Sequence, residues 1–424
     1  MANAFVWYFY AASTLEQVLN KITADPFARL QLWSIHFSGI VLSAFIGSIF
    51  SSKTKKRTSF IRFWMILGVV ASLVPLVVNI YDILTASIIA GLWGICLGVG
   101  MPSCMGYYTN ATSVDNRGRL GGLTMLISGL GIFLVGVVNV ESILLRVIIL
   151  SIWRFSGLAL FLIKPSEEIS NTERKHENIS YKTIFSQRPF ILYFVPWIMF
   201  SLLTYLSTPI RLDFLERQHI EYLPLIANGL FGLFAIIGGF LADTVGRKRI
   251  TTVGFVTLGL AYAIVGMFPE QLGSWYFHTV ADAVAWGFFF VVFVITVWGD
   301  LSYDLPSDKY YAVGLLPFFI SKFLQLTVEE SIIGTIAPSA IFSFTALFLF
   351  LAVLPLIYAP ETLPEKYIRE KELKSYIEKA QKEATKAQPK ETENNQEENE
   401  DAEVEFEANQ KDYEEILKEA EKYY

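Results

Sequence analysis

The sequence predicts an all-α polytopic membrane protein with about twelve transmembrane helices. Hydrophobic residues make up 53% of its 424 residues, charged residues make up 17%, and the mean hydropathy is +0.44. A soluble globular chain of this length would not hold so many apolar residues. The apolar residues fall into twelve runs, each close to the length that crosses a bilayer core of about 30 Å.

The twelve runs are arranged as six, a polar stretch, and six more. We expect an N-terminal six-helix half at 1–163, a cytoplasmic linker at 164–189, a C-terminal half at 190–360 and a charged cytoplasmic tail at 361–424. The predicted spans are Ala4–Asn20, Leu30–Phe50, Phe60–Ile80, Leu84–Tyr108, Leu120–Val140, Ile143–Ile163, Phe190–Ile210, Pro224–Ala242, Ile250–Phe268, Trp275–Trp298, Tyr311–Val328 and Ile336–Tyr358.

The first run is the weakest predicted span. Its aromatic start gives way to the polar residues Thr14, Glu16, Gln17 and Asn20. The segment could lie flat in the membrane interface, but we predict that it spans. It has no basic n-region and no small-residue cleavage site, so we do not expect a removable signal peptide.

The loops between the runs differ in positive charge. One alternate set carries fifteen Lys and Arg residues, including the clusters at 53–57 and 247–249, whereas the other set carries four. Positively charged loops stay in the cytoplasm. We therefore predict a multi-pass protein of the plasma membrane with both termini in the cytoplasm.

The eighth run ends in one acid, one glycine and three bases. Asp243 and Arg247 are four residues apart, so they share a face if the helix continues, whereas Gly246 permits a tight turn if it does not. A simpler interpretation is that Asp243 caps the next helix and the bases set topology. Together with Gly239, this string resembles the signature of the major facilitator superfamily. The resemblance implies a hinge that helps to latch the cytoplasmic gate.

The same landmarks recur about 192 residues earlier. Shifting Gly239 and Arg247 back by 192 gives Gly47 and Lys55, and Trp93-Gly94 precedes Trp286-Gly287 by 193. This duplication predicts two pseudo-symmetric halves, which is the plan of this superfamily. In the first half, however, Ser51 stands where the acid belongs. We therefore predict a weaker or different latch at that end.

Two further motifs resemble the superfamily. The fourth run carries Gly94 and Gly98 in small-xxx-small spacing, which tight helix packing alone explains, and it leads to the pair Arg117-Gly118. The family often has an arginine where Gly94 stands, so the usual arginine for proton coupling is absent. The string Pro360-Glu361-Thr362-Leu363-Pro364 resembles the end of the last helix of sugar porters. It could equally be a capping box that starts another helix.

Three ionisable residues lie at a similar predicted depth. At 1.5 Å per residue, Asp282 lies about 20 Å, Lys322 about 17 Å and Glu16 about 18 Å from the inner face. Each could be a satisfied buried charge, but such groups by default mark a pathway. The resemblance implies that their helices line the central cavity. We predict that Asp282 and Lys322 pair across the empty cavity, that substrate or a proton on Asp282 breaks the pair, and that Glu16 is a second proton site.

Arg154, near mid-membrane in the sixth run, is a different case. The resemblance implies that the sixth helix is peripheral. We expect Arg154 to find an acid partner or to snorkel inward, and to have a structural role.

Common enzymatic motifs are absent. The sequence contains no phosphate-binding loop, no His-Glu-x-x-His, no Gly-x-Ser-x-Gly and no Cys-x-x-Cys, so we expect no enzyme activity, no cofactor and no metal site. Its net charge of −6 reflects an acidic tail and does not predict nucleic-acid binding. Energy for transport would have to come from an ion gradient.

Two functions remain open. The first is a secondary active transporter that moves a small polar solute by alternating access, with protons as candidate coupling ions. The second is a receptor or scaffold with a transporter fold, which signals through its charged tail to a cytosolic partner. The tail is the only feature that favours the second function.

Overall fold

The computed structural model describes residues 1–22, 25–53, 57–138, 140–163, 179–302, 305–332 and 336–363. Within these ranges the chain forms sixteen α-helices, one 3-10 helix and one π-helix, and no β-strand. The helices belong to one compact unit, Met1–Ile368. The predicted all-α membrane fold is confirmed, whereas the boundaries predicted for the linker and the two halves remain predictions. The predicted tail lies outside the described residues, apart from its first three positions.

The helices up to residue 163 follow the first six predicted runs. The third run was expected to reach Ile80, but its α-helix ends at Leu73 and a 3-10 turn at Val74–Leu76 follows. Asp82 then starts the next helix by accepting a hydrogen bond from the Thr85 backbone amide. These six helices are α1 (Ala2–Ile22), α2 (Pro26–Lys53), α3 (Arg57–Leu73), α4 (Ile83–Ala111), α5 (Arg117–Val138) and α6 (Ile143–Ile163).

The remaining helices follow the last six runs. A short helix, α7 (Tyr181–Ser186), precedes them, and Ser180 caps it. The tenth run is helical throughout, but Phe290–Thr296 is wound as a π-helix, which we call the π segment. The helices are α8 (Arg188–Arg217), α9 (Leu223–Ala242), α10 (Arg247–Met267), α11 (Leu272–Phe289), α12 (Val297–Ser302), α13 (Ser307–Gly314), α14 (Leu316–Ile332), α15 (Pro338–Leu351) and α16 (Val353–Tyr358).

Nine helices of the described chain are long and apolar enough to cross a membrane. The continuous helix from α11 through α12, which includes the π segment, is one of the nine. Helix α1 is not among them, because Glu16, Gln17 and Asn20 lower its hydropathy. Its span therefore remains a prediction, although one face of α1 is buried against other helices from Ala4 to Leu19.

Small residues bring pairs of helices into close contact. In α4, Gly94 and Gly98 lie against the backbone of α2, and a Cβ atom at Gly94 would lie 2.2 Å from the His36 carbonyl oxygen. Its repeat partner Gly287, in α11, lies in the same way against Ala235 of α9. The two duplicated Trp-Gly pairs therefore occupy equivalent packing positions. The N-terminal helices α1–α6 meet the later helices mainly where α5 packs on α9, where α2 packs on α13 and α14, and where α4 packs on α13.

We predict that Gly94→Ala destabilises the protein, because the added methyl group must push α4 away from α2. Overpacking of this kind costs about 1–3 kcal/mol. The thermal unfolding midpoint of the purified protein should fall clearly. Gly273→Ala is the matched control, since nothing lies within 4 Å of the Cβ position at Gly273. Equal midpoints for the two variants would contradict this packing.

Candidate functional site

Asp243 joins the two groups of helices at the end predicted to be cytoplasmic. It follows α9 directly, and its carboxylate accepts hydrogen bonds from the backbone amides of Gly118 at 2.9 Å and Arg119 at 2.8 Å. These amides belong to the first turn of α5, whose N–H groups have no partner within the helix. Asp243 is 3% exposed. It therefore caps a helix of the other group, not the helix that follows it in sequence.

Arg247 neutralises the buried Asp243. The guanidinium of Arg247 is fully buried and lies 3.1 Å from the carboxylate of Asp243 and 3.2 Å from that of Asp300. It also donates a hydrogen bond to the Val114 carbonyl, in the connection between α4 and α5. The predicted i, i+4 pair is therefore present, and it has partners in three other segments.

Gly246 makes this arrangement possible. Its φ angle of 111° lies in the region that favours glycine, and a Cβ atom there would meet the Glu361 carboxylate at 2.4 Å. Glu361 accepts hydrogen bonds from the backbone amides of Arg247 and Lys248, the first two residues of α10. Glu361 therefore caps α10. The capping box proposed from Thr362 onward depends on Glu365, which lies outside the described residues.

Asp300 completes the network. It pairs with Arg117 at the start of α5 and accepts a hydrogen bond from the Thr362 hydroxyl. We call the connected residues Arg117, Asp243, Arg247, Asp300 and Glu361 the latch. The sequence motif pointed to Asp243 and Arg247 but not to the roles of Asp300 and Glu361. The available signal for these roles was that Asp300 and Glu361 each follow the end of an apolar run.

Burial raises the pKa of Asp243 above its ordinary value, while Arg247 and the two α5 amides oppose this effect. Aspartate with a raised pKa takes up a proton at a higher pH than an exposed aspartate does. By linkage, protonation of Asp243 therefore favours the buried arrangement over one in which Asp243 is exposed to water.

A second contact between the groups also takes its acid from the later helices. Ser51, at the end of α2, donates a hydrogen bond to Asp308 at 2.9 Å, and Arg57 of α3 pairs with the same carboxylate. Asp308 lies in the first turn of α13, in the other helix group. The acid missing at Ser51 is thus supplied from across the interface. Ser51 itself carries no charge, and Asp308 was not singled out from the sequence.

Asp282 does not pair with Lys322, so this prediction was wrong. Its carboxylate lies 3.0 Å from the guanidinium of Arg211 on α8, whereas the Lys322 ammonium donates to Gln325 and lies over the Tyr205 ring. Depth along a helix gave the level of each residue but not the direction of its side chain. The seventh span was also expected to end at Ile210, which assigned Arg211 to a loop.

Asp282 and Arg211 belong to a buried polar cluster among α8, α10 and α11. The cluster includes His278, whose ring packs edge-on against Tyr262 at 4.7 Å, and the Tyr262 hydroxyl bonds Ser207 at 2.9 Å. Three buried atoms of the cluster have no hydrogen-bond partner: Asp282 Oδ1, Arg211 Nε and His278 Nε2. These atoms are able to accept or donate further hydrogen bonds.

Glu16 and Arg154 each have partners that the sequence did not predict. Glu16 pairs with Arg29, which had been assigned to a loop but lies in the first turn of α2. Arg154 is 1% exposed and neither meets an acid nor snorkels. It bonds the Asn3 side chain, and its guanidinium lies over the rings of Trp64 at 4.4 Å and Trp7 at 5.4 Å.

Two small apolar cavities of the described chain lie between the two helix groups. A cavity of about 20 Å³ lies among α1, α4, the π segment and α14, and nine residues line it. Tyr8 alone among the nine carries a side-chain oxygen or nitrogen atom. A second cavity of about 10 Å³ lies between α2, α4 and the junction of α13 with α14. Among the described residues, no group of three His, Cys, Asp or Glu side chains is placed to hold a metal ion.

The sequence profile of the Major Facilitator Superfamily matches residues 1–321. The chain belongs to this superfamily. No curated protein sequence matches the chain. The helix arrangement is therefore that of a superfamily member.

Solved structures of the superfamily share the fold at low sequence identity. The proton:xylose symporter XylE bound to 6-bromo-6-deoxy-D-glucose has a TM-score of 0.61 and 15% identity, over 85% of this chain and 94% of that one. The human organic anion transporter MFSD10 has a TM-score of 0.60 and 12% identity, over 84% and 96%. A partially occluded inward-open XylE from E. coli has a TM-score of 0.58 and 15% identity, over 86% and 97%.

We predict that Asp282→Asn and Arg211→Gln each destabilise the protein, because each leaves the other charge buried without its partner. Losing one member of a buried pair costs about 3–5 kcal/mol. The double variant should unfold at a higher temperature than either single variant. As a control, Lys322→Gln should add its effect to that of Asp282→Asn without coupling. Coupling to Lys322 instead of Arg211 would contradict the observed pairing.

Proposed function

We propose that this protein is a secondary active transporter that moves a small solute across the plasma membrane by alternating access. The observation that carries the proposal is the latch. Its groups bind across the two helix groups through ion pairs and amide–carboxylate hydrogen bonds. Such polar contacts can open to water and re-form.

In this proposal the latch closes the cytoplasmic gate. Asp243 caps α5 and Asp308 binds Ser51 and Arg57, so both contacts must break before the helix groups can separate at that end. Opening the gate breaks both of these buried contacts, and closing the gate re-forms them. The stability of the latch therefore sets how often the gate opens, without contributing to the solute site.

We predict that Asp243→Asn lowers turnover much more than solute binding. The amide side chain can accept only one of the two α5 bonds and leaves Arg247 undercompensated. In proteoliposomes, counterflow of radiolabelled D-xylose and of fluorescein, a sugar and an organic anion, tests flux. The variant's maximal rate should fall about tenfold or more, which corresponds to a loss of about 1.4 kcal/mol.

The control for this experiment is Asp213→Asn. Asp213 pairs with Arg217 on α8, and the Arg217 side chain of that pair is 65% exposed. Surface pairs of this kind contribute little. We expect normal flux from the control. Equal loss in both variants, or loss of affinity with an unchanged maximal rate in Asp243→Asn, would contradict a role in gating.

Proton coupling is a finer proposal, and it assigns the proton to Asp282. Its buried Oδ1 has no hydrogen-bond partner, and His278 nearby has a ring nitrogen without one. A proton on Asp282 would release Arg211. Glu16 and Lys322 lie toward the same end of the helices and remain secondary candidates for the pathway.

We predict that Asp282→Asn keeps solute exchange but loses the pH dependence of gradient-driven uptake. Exchange needs the solute site and both gates, whereas uptake against a gradient needs the coupling proton. Combination with Arg211→Gln keeps the protein folded if the single variant is unstable. Normal pH-dependent uptake by the double variant would remove Asp282 from the coupling mechanism.

A further inference from the structure

One face of α14 lies at the interface between the two helix groups. Phe319 and Phe323 are four residues apart on this face. The Phe319 ring lies 5.7 Å from the Tyr8 ring of α1, and the Phe323 ring lies 5.9 Å from the Phe37 ring of α2, measured between ring centroids. Aromatic rings therefore make these contacts between α14 and the N-terminal helices, and Lys322 lies between the two phenylalanines in sequence.

Lys322 places a positive charge beside these rings. Its ammonium group donates a hydrogen bond to Gln325 at 2.9 Å and lies 5.5 Å from the centre of the Tyr205 ring on α8. The Lys322 side chain is half-buried, whereas Gln325 is 4% exposed. A cation held over an aromatic face at the boundary of the two helix groups is a binding group for a solute of opposite charge.

Acids near this face leave the ammonium group able to bind a further acceptor. The acids of α1 and α11 pair with arginines, as Glu16–Arg29 and Asp282–Arg211. On α14 itself the next acid is Glu329, seven residues after Lys322. An ammonium group has three N–H donors, and Gln325 accepts from one of them. A solute carboxylate can therefore bind Lys322 without displacing its neighbours.

The N-terminal helices add two polar atoms beside the same rings. His36 of α2 stacks on the Tyr8 ring at 6.4 Å and meets the Trp33 ring at 5.6 Å. Its Nδ1 lies 2.7 Å from the Ala90 carbonyl oxygen, which only accepts, so Nδ1 carries the hydrogen and Nε2 of the neutral ring is an acceptor. His36 and Trp33 are each 1% exposed, and neither His36 Nε2 nor Trp33 Nε1 has a hydrogen-bond partner in the described chain.

Together these groups match a particular solute chemistry. A carboxylate makes its strongest hydrogen bonds with a charged donor such as Lys322. A hydroxyl group can donate to the unfilled acceptor of His36, and an apolar ring packs against aromatic walls. A neutral solute could use the same donors and acceptor but would gain nothing from the positive charge. The residues therefore favour an anion that carries a ring and a hydroxyl group.

We infer that the protein transports a ring-bearing organic anion, whose carboxylate binds Lys322 while its ring packs on the aromatic side chains of α1, α2 and α14 and its hydroxyl group donates to His36. This inference rests on the proposed transport function, because it places the solute between the two helix groups. Lys322 belongs to the later helices and His36 to the N-terminal helices. The bound solute therefore contacts both groups.

Binding of 4-hydroxybenzoate and 4-hydroxybenzamide to the full-length protein in detergent at neutral pH tests the charge. The two probes share the ring and the hydroxyl group, but only 4-hydroxybenzoate is an anion. The probe concentration needed to raise the unfolding midpoint gives an apparent Kd for each. We expect 4-hydroxybenzoate to bind about tenfold more tightly or better, because hydrogen bonds to charged groups are the stronger ones. Equal binding, tighter binding of the amide, or no binding of 4-hydroxybenzoate would overturn the inference.

A pair of lysine variants assigns the preference to this site. Lys322→Gln removes the charge and should bring the two apparent Kd values together. Lys182→Gln makes the same change at an exposed position on α7 and should keep the preference for the anion. Full preference in Lys322→Gln, or equal loss in both variants, would show that Lys322 does not bind the carboxylate.

A second comparison tests the partner of the hydroxyl group. In the unchanged protein 4-hydroxybenzoate should bind more tightly than benzoate, which lacks the hydroxyl group. His36→Phe should remove this difference and keep the preference for 4-hydroxybenzoate over 4-hydroxybenzamide. A difference that persists in the folded variant would exclude His36 as the partner. Equal binding of 4-hydroxybenzoate and benzoate to the unchanged protein would exclude it without any variant.

Failure of this inference and failure of transport give different results. Counterflow of D-xylose without counterflow of 4-hydroxybenzoate would reject the organic anion and retain the transporter. Binding of 4-hydroxybenzoate that Lys322→Gln abolishes, in a protein that shows no flux of either probe, would retain the anion site and reject transport.

Discussion

The structure depends on one buried acid, Asp243, which caps a helix to which it is not joined in sequence. A helix N-terminus carries unsatisfied amides and the positive end of the helix dipole, so a carboxylate is stabilised there. Removing that carboxylate from water is costly, and Arg247 offsets the cost. Because the donors come from α5 and the acid follows α9, the contact exists only while the two helix groups are together at this end. Its free energy is therefore a free energy of closure.

Polar contacts between the two helix groups lie at one end of the molecule, and apolar contacts lie at its centre. Ion pairs and caps that join the two helix groups lie at the latch and at Asp308, whereas aromatic and aliphatic side chains meet at the centre. Close helix pairs within each group, such as α4 on α2, have glycine at the contact and little room to move. A protein built in this way can separate its groups at one end while each group keeps its packing. That is the mechanical requirement of alternating access.

The sequence predicted the helices well because an apolar run of bilayer length has few alternatives to a helix. It also predicted the Asp243–Arg247 pair, although the two residues meet across a turn at Gly246 and not along one helix. The predictions from the sequence failed where a contact depends on the direction in which a side chain leaves its helix, or on where a helix ends. Asp282 had the expected depth but faces Arg211, a residue assigned to a loop because the seventh span was ended seven residues early. Asp300, Asp308 and Glu361 gain their roles only from distant segments, which spacing in a single sequence does not reveal.

The most direct test of the account is the distance between the two helix groups at the latch. Spin labels at Ser113→Cys and Arg249→Cys occupy exposed positions on opposite sides of it, in a background where Cys96 and Cys104, both buried, are replaced by serine. Electron–electron double resonance in lipid reports the distance distribution. The account predicts that Asp243→Asn shifts the distribution to longer distances. An identical distribution in the folded variant would contradict the claim that Asp243 holds the cytoplasmic gate closed.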